Sequence, residues 1–198
     1  MNGTIHLILV ECGGKGILEE IDGDMVTVFI EGSSNDKNGN LRQGFGKLFE
    51  QKWKGHMPKI ILGDDKHSTI RKFKGDKGSK KKLLLIDLDA NEDARADQIQ
   101  ELELDENLSF FMIQELESWF ISQSELLNTY YGTDIKSKIQ GKDPKNISNP
   151  SGLLAQLTKK SQKGEYHKVK HATDLLKQLN LTNLEKSFDD VKLLIQAV

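Results

Sequence analysis

Three short apolar runs, each stopping abruptly at an acidic or glycine turn, constrain this chain more than any other feature. Met25 to Ile30 (MVTVFI) halts at Glu31-Gly32, Ile60 to Leu62 at Gly63-Asp64-Asp65, and Leu83 to Ile86 at Asp87-Leu88-Asp89. The first is apolar at both alternating positions, as a strand covered on both faces must be. A further short run, Ile5 to Val10, precedes Gly13, Gly14 and Gly16. Between the second and third runs, Arg71 to Lys82 reads as a basic loop with glycine and serine breakers. Leu41, Phe45, Leu48 and Phe49 recur at helical spacing and predict a helix of about three turns. Short apolar strands separated by helical or irregular stretches predict an α/β fold with a small, largely parallel sheet flanked by helices. Ligands gather at the carboxyl ends of strands in such sheets, so the turn carboxylates are the first place to look for chemistry.

The second half is more helical. Phe110 to Ile113 reads as a fourth strand, and Leu116, Trp119, Phe120, Leu126 and Leu127 predict a helix from Glu115 to near Gly132. Asn149-Pro150-Ser151 is a helix start, with Leu153, Leu154 and Leu157 on one face. Lys168 to Leu179 and Leu184 to Val198 are two more amphipathic stretches. The expected organisation is an α/β domain over 1–134 and a helical C-terminal extension over 135–198, packed into one unit. A chain of 198 residues can bury a core without covalent staples. Its single cysteine, Cys12, excludes an intramolecular disulfide and leaves any metal site to carboxylates or histidines. No apolar run approaches the ~18 residues of a membrane span, and Ile5 to Val10 lacks the basic flank of a signal peptide. The expected setting is cytoplasmic, with no membrane partner.

The formal charge of −2 conceals an uneven distribution. Residues 1–82 carry 15 Lys and Arg against 11 Asp and Glu, residues 83–134 carry 1 against 13, and residues 135–198 carry 12 against 6. Either these are solvated faces, or a carboxylate site for a hard cation lies between basic walls suited to a polyanion.

Side chains two apart on a strand point the same way, so Asp87 and Asp89 past one strand can face one cation, and Glu31 from a neighbouring strand end would extend the set. All-oxygen donors of this kind suit Mg2+ (or Mn2+), and such clusters serve phosphoryl transfer. In Gln114-Glu115-Leu116-Glu117-Ser118-Trp119, positions two apart on a helix diverge, so at most one of Glu115 and Glu117 reaches the same site, while Trp119 suits the core. In Tyr166-His167-Lys168-Val169-Lys170-His171, the two histidines at i,i+4 share a helix face suited to a metal or a phosphate, and the adjacent lysines favour an anion. Gly13-Gly14-Lys15-Gly16 lacks the following Ser or Thr of a Walker loop, and Cys12 reads as a structural thiol.

The stretches VTVFIEG, RQGF, LLLIDLD, FMIQELESWF with its following YYG, and YHKVKHATDLL resemble, in the same order, the bacterial family catalogued as domain of unknown function 4276, from about Val26 to Val198. That family is similar to Toprim-like domains, small parallel sheets flanked by helices that carry a glutamate after the first core strand and an Asp-x-Asp after a later one. The resemblance implies metal ligation by Glu31, Asp87 and Asp89, with Glu117 matching the glutamate of Glu-x-Trp as a further ligand or base. It implies phosphate contacts from Arg42, beside an inserted Gln43, and from His167, Lys168 and His171. The expected function is magnesium-dependent phosphodiester hydrolysis by a nuclease or phosphodiesterase acting on nucleic acid or a nucleotide. A bacterial defence system and a separate ATPase partner are the expected setting. The alternative is a non-catalytic nucleotide- or nucleic-acid-binding or partner-docking module on the same scaffold.

Overall fold

The structure is a computed structural model that describes residues 26–35 and 39–198. The expected strand at Ile5 to Val10, the glycine run after it and Cys12 lie outside the described residues. In chain order the elements are β1 (Val26–Ile30), the short β2 (Ser34–Asn35) and β3 (Gly39–Asn40), α1 (Leu41–Phe49), β4 (Lys59–Leu62), α2 (Lys66–Gly75), β5 (Lys81–Asp87), α3 (Arg95–Glu101), β6 (Ser109–Met112), α4 (Leu116–Ser122), α5 (Ser124–Tyr131), α6 (Lys136–Ile139), α7 (Pro150–Thr158), α8 (Lys168–Leu176), α9 (Leu181–Ser187) and α10 (Asp189–Gln196).

Four strands form one sheet in the order β4-β1-β5-β6, every pair parallel. A second, two-stranded sheet pairs β2 with β3 antiparallel. Val28, Ile30 and Leu83 to Ile86 are wholly buried, as strands covered on both faces must be. Phe29 meets Phe73 of α2 edge-on at 5.9 Å, which puts α2 on one face. The alternating Val28 and Ile30 therefore face the other side. From β1 the chain crosses to β4 on one side, and from β4 it returns past β1 to β5. The carboxyl ends of β1 and β5 thus form the point where strand order reverses, the place where open α/β sheets form a crevice.

The expected loop from Arg71 to Lys82 is only partly one: Arg71 to Gly75 complete α2, the loop covers 76–80, and Lys81 and Lys82 open β5. Asp65 caps α2 by accepting from the Ser68 N–H at 2.8 Å, and Thr69, Ile70 and Phe73 fall on one buried face. Gly75, Gly78 and Ser79 come only at its end, where the Lys82 ammonium donates to the Phe73 and Asp76 carbonyls at 2.8 and 2.9 Å.

The helix expected from Glu115 to Gly132 is two helices, broken at Gln123, whose side-chain amide exchanges hydrogen bonds at 2.9 Å with the Asn180 N–H and C=O. Gly132 ends the second with φ +63, a left-handed cap. Leu184 to Val198 also divides, at Phe188, where an extended backbone turns the ring into the core. Asn149 caps α7 through the Gly152 N–H as expected. The helical second half packs on the first, α8 against α1 and α10 against β6.

Candidate functional site

The ladder runs one residue past β1, where the Glu31 N–H donates to the Leu85 carbonyl at 2.9 Å. This places Glu31 beside the end of β5, and its Oε2 accepts from the Asp87 N–H at 3.0 Å. Asp87 in turn accepts through Oδ1 from the Leu116 N–H at 2.9 Å, capping the first turn of α4 with a negative charge, where the helix dipole favours one. Glu117 lies one residue on in that turn, almost fully buried, and receives the Tyr166 hydroxyl on Oε1 at 2.7 Å. Lys168, the first residue of α8, donates to Glu115 Oε2 at 3.0 Å and lies 4.0 Å from Glu117 Oε2.

These carboxylates disturb one another. Burial pushes Asp87 well above the usual carboxylate range, and the charges of Glu31 and Glu117 add to it against Lys168. Burial likewise raises Glu31, opposed by the Asp87 N–H and Lys66, and raises Glu117, opposed by Lys168 and the Tyr166 hydroxyl. Lys168 is held above the ordinary lysine value although burial works against it, because Glu117 and Glu115 favour its charge. Several acids at a topological reversal, each pushed from its ordinary value by burial and like charge, make this edge the candidate functional site.

Asp89 departs from the simple alternation argument. It lies beyond the end of β5 with φ +58, a left-handed backbone that Asp tolerates, so strand periodicity no longer sets its direction. Its carboxylate is ion-paired with Lys66, in the first turn of α2. Asp89 still adds to the raising of both Glu31 and Asp87, so it belongs to the same electrostatic neighbourhood. Among the described residues, no group of three or more histidine, cysteine or acidic side chains is arranged to hold a metal ion. The donor chemistry nonetheless fits a hard cation, because Glu31 and Asp87 each use one carboxylate oxygen in the hydrogen bonds above and offer a second.

The histidine-lysine motif separates into different roles. His167 is the N-cap of α8, and its exposed ring accepts from the Lys170 N–H at 3.5 Å. His171 Nδ1 accepts back from the His167 N–H at 3.1 Å, a reciprocal cap in the manner of a capping box. The His171 ring is 4% exposed and packs against Tyr130, Tyr131 and Tyr166. Its expected phosphate contact does not suit this position, since packing and capping already employ the ring. Arg42 is exposed in the first turn of α1, and its side chain forms no hydrogen bond or ion pair among the described residues. It shares the sheet edge with α8 because Gly39, at φ +145, brings the two helix starts together: a Cβ there would stand 2.3 Å from the Val169 carbonyl oxygen.

Burial lowers the His171 pKa, and Lys170 and His167 lower it further. A histidine held neutral when folded adds stability above its unfolded pKa near 6.5 and loses it as pH falls through the lower folded value. His171→Ala is expected to cost about 2 kcal/mol at pH 8 and visibly less at pH 5. Urea denaturation at both pH values measures this, and equal losses would mean that the ring acts through packing alone.

The sequence reading passed over Lys66 and Tyr166. Lys66 had one legible signal: it follows Gly63-Asp64-Asp65 directly, and a residue opening a helix after a parallel strand stands at the carboxyl edge. Tyr166 adjoins a motif already singled out, but nothing local shows that its hydroxyl turns to a glutamate 49 positions earlier.

The fold and this edge define an α/β protein with an acidic cluster at the reversal point of a parallel sheet, bordered by two lysines. Its family model, described as Domain of unknown function (DUF4276), matches residues 31–198, and the chain belongs to that family. No curated protein and no solved structure matches the chain. Among the described residues, no helix is long and apolar enough to cross a membrane.

Proposed function

We propose that this protein hydrolyses phosphodiesters with Mg2+ (or Mn2+) at a Toprim-like carboxylate site. One observation carries the reading: Glu31 and Asp87, from neighbouring strand ends, are hydrogen-bonded to each other at the reversal point of the sheet, with Glu117 close enough to raise the Asp87 pKa. The glutamate just past β1 and the Asp-x-Asp at the end of β5 are the residues on which the Toprim resemblance rests. Glu31 and Asp87 would hold the metal, joined by Asp89 once it leaves Lys66. When bound, the metal supplies a water of lowered pKa and neutralises charge on the phosphate. Lys168 holds Glu115 and Glu117 in place and presents a positive charge to an incoming phosphate, while Tyr166 fixes the orientation of Glu117. Arg42 and His167, exposed on the helix starts at the same edge, are available to phosphate oxygens.

Cleavage of end-labelled DNA, end-labelled RNA and a small chromogenic phosphodiester in Mg2+ or Mn2+ tests this. Wild type is expected to cleave at least one of them, and Asp87→Ala with Asp89→Ala is expected to reduce that cleavage to background. Equal rates in the two proteins would refute it. The pairing of Asp89 with Lys66 favours a second reading, a non-catalytic module whose acids are neutralised by its own lysines. On that reading neither protein cleaves anything, and calorimetry shows no carboxylate-dependent heat with Mn2+.

A further inference from the structure

Between Lys66 and Lys82 the chain carries 8 Lys and Arg against a single acid, Asp76, although the whole chain is net negative. In three dimensions this stretch is α2, lying on one face of the sheet, its following loop and the first two residues of β5. Thr69, Ile70 and Phe73 point inward, which leaves Arg71 on the outward side. Lys59 opens the edge strand β4 in register with Thr27, as Lys82 does from β5. In-register residues share a face, and Lys82 reaches α2, so Lys59 stands on the α2 side too. Lys59, Arg71 and Lys77 are all exposed and none has a carboxylate partner among the described residues. On the opposite flank, Lys74 bonds the Leu102 carbonyl at the end of α3, where Glu101 and Glu103 bound the basic surface, so its open side lies toward β4.

This surface is joined to the acidic cluster by α2 itself, whose first residue is ion-paired with Asp89. Ten helical residues at 1.5 Å each separate the cluster from the loop by about 15 Å, or roughly four base steps of 3.4 Å. A mononucleotide cannot touch both ends of such a span. A strand with a phosphate at every step can.

We propose that α2, its following loop and the start of β4 form a track for a polynucleotide backbone, so that the substrate of the carboxylate site is a nucleic acid strand and not a free nucleotide. The identification of the track with a substrate path rests on the phosphodiesterase reading above; the binding itself does not.

The test is fluorescence anisotropy with labelled 20-nucleotide DNA and RNA strands over a salt series, on wild type and on the triple variant Lys59→Glu, Arg71→Glu, Lys77→Glu. A parallel variant carries Gln at the three positions, and circular dichroism confirms that all are folded. Wild type is expected to bind a strand with an affinity that falls steeply with salt. Losing three phosphate contacts is expected to flatten the log–log salt slope by about 2 and to weaken binding roughly tenfold or more at 0.1 M salt. The DNA and RNA arms show which backbone is preferred. Unchanged affinity in both variants overturns the proposal, as does a strand that competes no better than AMP, or tighter binding to phosphatidylserine vesicles than to either strand. Strand binding without cleavage would sink the phosphodiesterase reading alone. Cleavage of the small diester without strand binding would sink the track alone.

Discussion

Asp87→Asn is expected to make the metal-free protein more stable while removing the metal-dependent cleavage proposed for it. The asparagine Oδ1 still accepts the Leu116 N–H, so the cap on α4 survives. The charge that Glu31 and Glu117 oppose disappears. Removing a conflict between buried like charges commonly adds about 1 kcal/mol, and that gain is expected here in urea denaturation at pH 8. A ligand that binds only the folded state adds RT ln(1 + [L]/Kd), about 2.7 kcal/mol at a hundredfold excess over Kd. Mn2+ should therefore stabilise wild type and leave the Asn variant where it was. Cleavage should fall on the order of a thousandfold, the scale of losing one preorganised electrostatic contact to the transition state. If the Asn variant proved less stable than wild type, Asp87 would be a structural cap that needs its charge.

The sequence located this site better than it described it. Glu31 and Asp87 were legible because an apolar run that stops at a carboxylate gives both a strand and its end, and parallel strands put those ends on one edge. For Asp89 the alternation argument does not apply, because strand periodicity cannot foresee a left-handed residue just past the strand. The His167 to His171 spacing was read as one helix face, but His167 is an extended N-cap with an exposed ring, and the burial of His171 among three tyrosines depends on α5, some 40 residues earlier, and carries no local signature. The segment from Arg71 was taken for a loop because Gly75, Gly78 and Ser79 lie within it, while the Asp65 cap and most of the Thr69, Ile70, Phe73 face of the helix it completes come before it. Lys66 illustrates the same limit: its importance comes from an ion pair spanning 23 residues that no periodicity reports.

Arg95→Ala is expected to cost the fold about 2–4 kcal/mol, because removing one partner leaves a buried charge without its counterion. The edge strand β6 directs the Phe111 N–H away from β5, where it needs an acceptor. Asp190 supplies one at 2.8 Å, and Arg95 Nε donates to the same carboxylate at 3.0 Å. Asp190 is 5% exposed, whereas the Arg95 side chain is 26% exposed and lies over the Phe111 ring, so some water reaches the site and the cost falls toward the lower half of the range. Burial already raises the Asp190 pKa despite Arg95 and the Phe111 N–H, and removing Arg95 raises it further. A carboxyl that is harder to ionise folded than unfolded loses stability as pH rises through its folded pKa. The deficit of Arg95→Ala should therefore be larger at pH 8 than at pH 5 in urea denaturation, and adding Asp190→Asn should recover part of it at pH 8. Equal deficits at the two pH values would assign the loss to the cation resting on Phe111 rather than to the buried charge. The consequence reaches the site, because β6 leads through Gln114 directly into Glu115 and Glu117, so loosening its hold on α10 loosens the backbone that sets both glutamates.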